Sequence, residues 1–340
     1  MLMVIFGAGA SYDSVASRRP GAFDHESRLP LANQLFGDRP LFARVLTHFP
    51  AVQPLISRLR YLGKEQSLER ELQAIRAEAD TYAERTRQLV AVRYYLHMLI
   101  HECEQSWASV INGAGGETNY RTLLDEIAYC SPHDVVHLVT FNYDRLIEAA
   151  LPTVNVRIQN LDDYVKGRFQ LIKLHGSTNW SRAVKTPLKT AGVNGMDVIQ
   201  QVIDARTLNV SNEFMFFDQH VTGVHGETPL FPALAIPFEE KLDFECPSNH
   251  MDALRGSLGL IDKILVIGWR ATEQPFLQML RKGLPGPVRC LVVTEDCTRS
   301  QETIDRMKAA GIAGDFNAVG GGFSELVLLH LARDFLRGEV

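Results

Sequence analysis

Five short apolar runs, each rich in β-branched residues and each cut off by glycine or a polar cluster, constrain this chain more than any other feature. They are Leu2–Phe6 before Gly-Ala-Gly-Ala-Ser, Val135–Phe141 before Asn-Tyr-Asp, Phe169–Leu174 before His-Gly-Ser, Lys263–Ile267 before Gly-Trp-Arg, and Val288–Val293 before Thr-Glu-Asp. Runs this short and this uniformly apolar suit strands covered on both faces, as in a parallel sheet. Helical patterns follow several of them: Arg145–Leu151, Glu273–Leu284, Arg299–Ala310 behind a Thr298/Gln301 capping-box pattern, and an amphipathic Ser324–Leu336. Strand alternating with helix predicts an α/β fold built on a doubly wound, Rossmann-like, mostly parallel sheet.

Two stretches break the alternation, so the expectation is a single domain over 1–340 carrying a helical and an irregular insertion. The first, about 41–130, centres on Ser57–Gln105, where acidic and basic residues balance and Leu, Ala and Tyr recur at helical spacing before the glycine-rich Asn112–Glu117. The second, about 181–257, is rich in Pro, Asn and Phe with little periodicity, and reads as irregular and lid-like. Its apolar clusters Phe214–Phe217 and Pro229–Phe238 are expected either between subunits or against the chain's own sheet.

Composition narrows the class further. Of 340 residues, 46% are hydrophobic and 22% charged, which excludes disordered and fibrous chains. A net charge of -5 argues against nucleic acid or an anionic membrane as the main partner. No stretch approaches the roughly 20 apolar residues of a membrane span, and the first residues carry no basic leader, so a soluble cytoplasmic protein is expected. The five cysteines are odd in number, widely spaced and without a C-x-x-C pair, as reduced thiols would be.

In open parallel sheets, ligands bind outside the carboxyl ends of the strands. Here those ends carry Gly7, Ala8, Gly9 and Ser11; Asn142 and Asp144; His175, Gly176 and Ser177; Gly268, Trp269 and Arg270; and Glu295. Glycines directly after the first strand let backbone N–H groups approach a phosphate at a helix N-terminus, or serve only a tight turn. A dehydrogenase fingerprint would need glycine where Tyr12 stands, with an acidic residue closing a second strand about 20 residues on, so hydride transfer is disfavoured. Asn142 and Asp144 could simply cap the helix that follows, and a lone histidine is more often structural. Their joint occurrence at neighbouring strand ends is what points to chemistry.

At these residues the sequence resembles the sirtuin family: GAGAS, the TFNYD block in place of the family's T-x-N-x-D, and LHGS in place of its catalytic His-Gly occur in the family's order. Pro30–Phe36, Val266–Phe276 and Gly320–Leu326 look more narrowly like the sirtuin-like domains of bacterial antiphage systems, which hydrolyse NAD+. The resemblance covers the sheet-forming half of the chain. It implies NAD+ as substrate, Asn142, His175 and Asp144 as catalytic residues, and NAD contacts from Gly7, Ala8, Gly9, Ser11, Asn142, Asp144, Ser177, Gly268, Trp269, Arg270, Gly322 and Phe323. It also implies a homo-oligomer or a co-encoded defence partner, such as a HerA-type ATPase, that gates activity.

The departures from the family are informative. Deacylating sirtuins carry paired cysteines for zinc after the His-Gly strand, whereas residues 178–262 hold only Cys246. No zinc is expected, the one alternative ligand set being His220, His225, Cys246 and His250. The family's G-I-P-D-F-R segment is also missing after Ser11, so the residue covering the nicotinamide is not identified.

Cleaving the nicotinamide–ribose bond releases a neutral leaving group, so the site must stabilise an oxocarbenium-like ribose and deliver a nucleophile. Asn142 suits the ribose hydroxyls and a water. An imidazole titrates near neutrality and suits His175 as general base. Asp144 reads as an orienter or as an electrostatic stabiliser. The expected activity is therefore NAD+ glycohydrolysis by a defence effector. The alternatives are a non-catalytic subunit binding NAD or ADP-ribose and, more weakly, a lysine deacylase.

Overall fold

The apolar runs pair in parallel register around Leu2–Phe6. In chain order the strands are β1 (Leu2–Phe6), β2 (Val136–Thr140), β3 (Phe169–Lys173), β4 (Gly176–Val184), β5 (Val210–Phe216), β6 (Val224–His225), β7 (Thr228–Leu234), β8 (Lys263–Ile267), β9 (Val288–Val293) and β10 (Gly314–Val319). The computed structural model describes residues 1–23, 25–61, 67–238 and 244–339; the parts of the two expected insertions at 62–66 and 239–243 lie outside the described residues.

Six strands form one sheet in the order β10-β9-β8-β1-β2-β3, every pair parallel. The α/β doubly wound architecture expected from the alternation is the one found. The chain runs outward from β1 through β2 to β3, then returns to lay β8 on the other side of β1. The topological switch point, where open sheets of this kind bind ligands, therefore lies between β1 and β8.

Strand parity divides the core. Leu2, Val4 and Phe6 with Val136, Leu138, Leu265 and Ile267 face one apolar cluster. Met3 and Ile5 with Val139, Ile264, Val266 and Val292 face the other, against the helices Ser248–Ser257, Gln274–Gly283 and Cys297–Ala309. The side-chain period of two in a strand produces this partition, and burial of both faces explains why the runs lack polar alternation. The edge strand β10 was not anticipated. Its sequence GDFNAV holds Gly314, Asp315 and Asn317, residue types depleted in strands, and its side chains are largely half-buried or exposed.

The irregular insertion expected after residue 181 is corrected: it is a four-stranded antiparallel sheet, β5-β4-β7-β6, with the helix Gly195–Ile203 packed beside it. Its strands escaped notice because β7 carries two prolines and β5 alternates weakly, from Val210 through exposed Asn212 and Glu213 to half-buried Phe214 and Phe216. The apolar clusters pack against the chain's own elements. Phe214 packs on Trp180 at 6.0 Å, Phe216 on Tyr164 at 6.4 Å, and Leu230, Ala233 and Leu234 belong to the main core.

The main element of the stretch about 41–130 is a 31-residue helix, Ala83–Gly113, whose Tyr95, Leu99 and Trp107 are buried. Two helix readings are corrected. The helix Cys297–Ala309 is capped by Asp296, which accepts the Arg299 N–H at 2.9 Å, two residues before the expected Thr298. The amphipathic stretch 324–336 is two short helices, Gly322–Leu328 and Arg333–Arg337, interrupted where His330 turns to φ 53°.

Candidate functional site

At the switch point, backbone meets backbone. Gly7 N–H donates to the Ile267 carbonyl at 3.0 Å and Gly9 N–H to the Gly268 carbonyl at 3.1 Å. A Cβ on Gly7 would stand 2.5 Å from the Gly268 oxygen, and one on Gly268, which is left-handed at φ +62°, would stand 2.4 Å from Ala10 N. These glycines are thus demanded by the close approach of the β1 and β8 loops. The expectation that the Gly7 and Gly9 amides face a phosphate is corrected, because both donors are committed to carbonyls of the β8 end; Ala8 and the first turn of helix Ala8–Tyr12 remain at the crevice.

One strand over, Asn142 is buried, and its carboxamide nitrogen donates to the Gly7 carbonyl at 2.9 Å and to Ser11 Oγ at 2.8 Å. Gly7 O can only accept, which assigns the nitrogen to that side. Ser11 Oγ lies 2.9 Å from Tyr120 Oη and also hydrogen-bonds the Asp144 carboxylate. Ser11 Oγ accepts from Asn142, and between Ser11 Oγ and Tyr120 Oη either hydroxyl can donate. Asp144 in turn accepts the Leu146 N–H at 3.1 Å, the local turn that a capping role would give. Burial pushes its carboxyl above the usual carboxylate range, against the opposing pull of Lys173.

Lys173 was missed by sequence reasoning. Fully buried at the end of β3, it donates to the Asp144 carbonyl at 2.5 Å and to Glu148 Oε1 at 2.8 Å, tying the β2 and β3 ends together. A lysine closing an apolar run carries no signal by itself; only its burial reveals the role.

His175 occupies the two-residue link at which the chain leaves the parallel sheet and enters the antiparallel one. Its ring is buried against Phe141 at 5.0 Å, edge to face, and Tyr143 at 6.2 Å, and its carbonyl accepts the Ala235 N–H at 2.9 Å. Gly176 is left-handed at φ +83°, with β7 so close that a Cβ would lie 1.9 Å from the Ala233 oxygen. The following Ser177 is wholly buried, its hydroxyl without a hydrogen-bond partner among the described residues.

The remaining expected NAD contacts separate into two groups. Trp269 and Phe323 are corrected: both rings are core. Trp269 stacks on Phe141 at 5.4 Å and donates to Glu273 at 2.5 Å, and Phe323 packs on Tyr120 at 5.1 Å. Arg270 is exposed at the β8 end. Gly322 sits at φ +71° beside Asp13, whose carboxylate accepts the Ser324 N–H at 2.8 Å and so pins the Gly320–Leu326 turn onto the β1 loop. Burial raises the Asp13 carboxyl above the usual range. Arg28, also missed, donates to the carbonyls of Tyr12, Arg18 and Phe23, each at 2.6 Å, and so shapes the segment after Ser11.

The four alternative zinc ligands do not converge. His220 stacks on His101 at 3.7 Å, His225 is exposed beside Phe217, and His250 packs on Tyr164 and bonds the Leu161 carbonyl at 2.7 Å. Cys246 is buried in the second apolar cluster.

No protein-family model matches this chain, and no curated protein matches it in sequence. Among solved structures it is similar to a Sir2 homologue–NAD complex, at 16% identity and TM-score 0.44, covering 98% of this chain and 90% of that one. It is similar to mutant Sir2 homologues in complex with 2'-O-acetyl ADP ribose, at 16% identity and TM-score 0.48, covering 98% and 92%. A third is a structure described as a basis for the mechanism and regulation of Sir2 enzymes, at 10% identity and TM-score 0.40, covering 99% and 93%.

Proposed function

We propose that this chain is an NAD+ glycohydrolase, releasing nicotinamide and ADP-ribose. The observation that carries the reading is the assembly, at the carboxyl edge of β1, β2 and β3, of Ser11, Asn142 and Asp144 as one hydrogen-bonded unit, with His175 at the end of the neighbouring strand. These are the residues on which the sirtuin resemblance rests. In the proposed step the C1'–nitrogen bond breaks and the pair leaves with neutral nicotinamide. Water attacks C1' and its proton passes to His175, yielding ADP-ribose. Asn142 Oδ1 holds a ribose hydroxyl or the water, and the Asp144 carboxylate favours the developing cation.

Water is the proposed acceptor because the chain after His175-Gly176 builds a side-chain-packed antiparallel sheet, where deacylating members of the resembled family place a cysteine-bound zinc module. A role as defence effector, gated by self-association or by a partner, belongs to the same proposal. It is supported by the motifs of the C-terminal half and by the exposed Leu328, Leu329 and Leu331 on the surface there.

The engagement of the Gly7, Gly9 and Asn142 donors within the protein favours a second reading, a module that binds NAD or ADP-ribose and turns nothing over. Incubation of the purified chain with NAD+ separates the two. The first reading predicts nicotinamide release that His175→Ala abolishes at an unchanged melting temperature; tight ADP-ribose binding with no release supports the second.

A further inference from the structure

We infer that Glu104, in the middle of the long inserted helix, is a positioning residue that fixes the Asn142–Arg145 loop against the chain leaving His175, a role that rests on the NAD-cleaving reading above. Glu104 is buried and reaches both segments at once. One carboxylate oxygen accepts the backbone N–H of Arg145, directly after Asp144. The other accepts the Thr178 hydroxyl at 3.0 Å, three residues after His175, and lies 3.6 Å from the Arg145 guanidinium.

Thr178 is held at every polar atom. Its N–H donates to the Tyr143 carbonyl at 3.0 Å, its hydroxyl donates to Glu104, and its carbonyl lies 2.8 Å from His97 Nε2. A carbonyl only accepts, so that ring nitrogen carries the proton. His97 and Glu104 are seven residues apart, two helical turns, and so present the same face. A closed ring results, running from Glu104 to Arg145, back along the chain to Tyr143, across to Thr178 and back to Glu104. Without Glu104, the β2 loop and the His175 link are joined by two backbone bonds, Leu174 N–H to the Thr140 carbonyl at 2.9 Å and Thr178 N–H to the Tyr143 carbonyl, and by the Lys173 side chain on the Asp144 carbonyl. The carboxylate adds two further bonds from a rigid element outside both segments, which is how a site is held to within fractions of an ångström. Glu104 touches no reacting atom and acts through what it holds.

Hydrogen exchange tests this independently of turnover. In Glu104→Ala, peptides covering 142–146 and 176–180 are expected to exchange at least tenfold faster, while β1 and β8 keep wild-type protection. NAD+ turnover falls at least tenfold through kcat, with KM moved less than threefold. Glu104→Gln keeps an acceptor for Arg145 N–H and a donor for Thr178 Oγ, and restores most of the protection and most of kcat. If Glu104→Ala does not fold, Thr178→Val removes one arm of the ring and raises exchange in the same two peptides. Unchanged exchange at 142–146 and 176–180 in a folded variant overturns the proposal. Wild-type protein that consumes no NAD+ leaves the exchange result to decide on Glu104, while overturning the proposed reaction.

Discussion

At the carboxyl edge of the parallel sheet, the β1 and β8 loops meet through backbone alone, whereas the β2 and β3 ends meet through buried charge. On the first side, glycines bring two segments within hydrogen-bonding reach through backbone N–H and carbonyl groups. On the second, Asp144, Lys173, Glu148 and Glu104 are packed within the same few residues, held by charge-assisted bonds that are strong only while every partner is present. The contrast teaches how the work is divided. The backbone seam sets the crevice at the switch point, and the charged seam places the groups proposed to act in it.

Breaking the charged seam should cost most. Lys173→Met removes the cation from the Glu148 carboxylate, leaving it the Tyr164 hydroxyl at 3.1 Å, and removes the donor to Asp144 O, and is expected to destabilise by about 3–5 kcal/mol. Adding Glu148→Met should recover a large part of that loss. Chemical denaturation of both variants measures the difference, and equal stability of single mutant and wild type would empty the seam of its energetic role.

Gly268→Ala should cost about 2–4 kcal/mol, because the new Cβ both clashes with Ala10 N and forces a side chain into φ +62°. A cost below 1 kcal/mol would show that the two loops are free to separate.

The sides should also differ in their response to acid. Close to the charged seam, His97, His101 and His220 stack between the long helix and the loop after β5. Burial, together with repulsion from Arg145 and, for the first two, His220, pushes His97 and His101 down to about 3 and His220 down to about 4. The unfolded chain takes up these protons near pH 6.5, so the stability they confer is present above that pH and is lost as pH falls towards 4. Glu104 works in the opposite sense. Burial, with Asp144 adding to it and Arg145 and Lys173 opposing, pushes it up to about 7, so its contribution is present below its unfolded value and is lost as pH rises through 7. The histidine stack should make the melting temperature drop between pH 7 and 5, and His220→Phe should make that drop smaller. An equal drop in the variant would remove the histidine stack from the account.

The smallest effect is expected at the exposed Arg270, which lies on the backbone side: Arg270→Ala should leave the melting temperature within 1–2 °C and weaken NAD+ binding a few-fold by titration.

The same contrast explains what could be read from the sequence. The backbone seam was legible, since glycine after an apolar run is a local signal; five strands of the sheet and the positions of Gly7, Gly9, Gly268, Asn142 and His175 follow from it. The charged seam was legible only in Asn142 and Asp144. Glu104 and Lys173 gain meaning from partners roughly 25 to 75 residues away in the chain, a distance no local pattern spans. Trp269 and Phe323 were expected at the ligand, yet large aromatic rings turn into the core when apolar neighbours are available, as Phe141 and Tyr120 are here. The second sheet was hidden by prolines and by a period of two that solvent-facing Asn212 and Glu213 break.

The central claim, that Asn142, Asp144 and His175 cleave NAD+ with water as acceptor, is tested most directly by following nicotinamide release from NAD+ by purified protein with and without an acetyl-lysine peptide. The account predicts equimolar nicotinamide and ADP-ribose at the same rate in both mixtures, and none from His175→Ala. Nicotinamide released only when the peptide is present, with the acetyl group recovered on ADP-ribose, would contradict it.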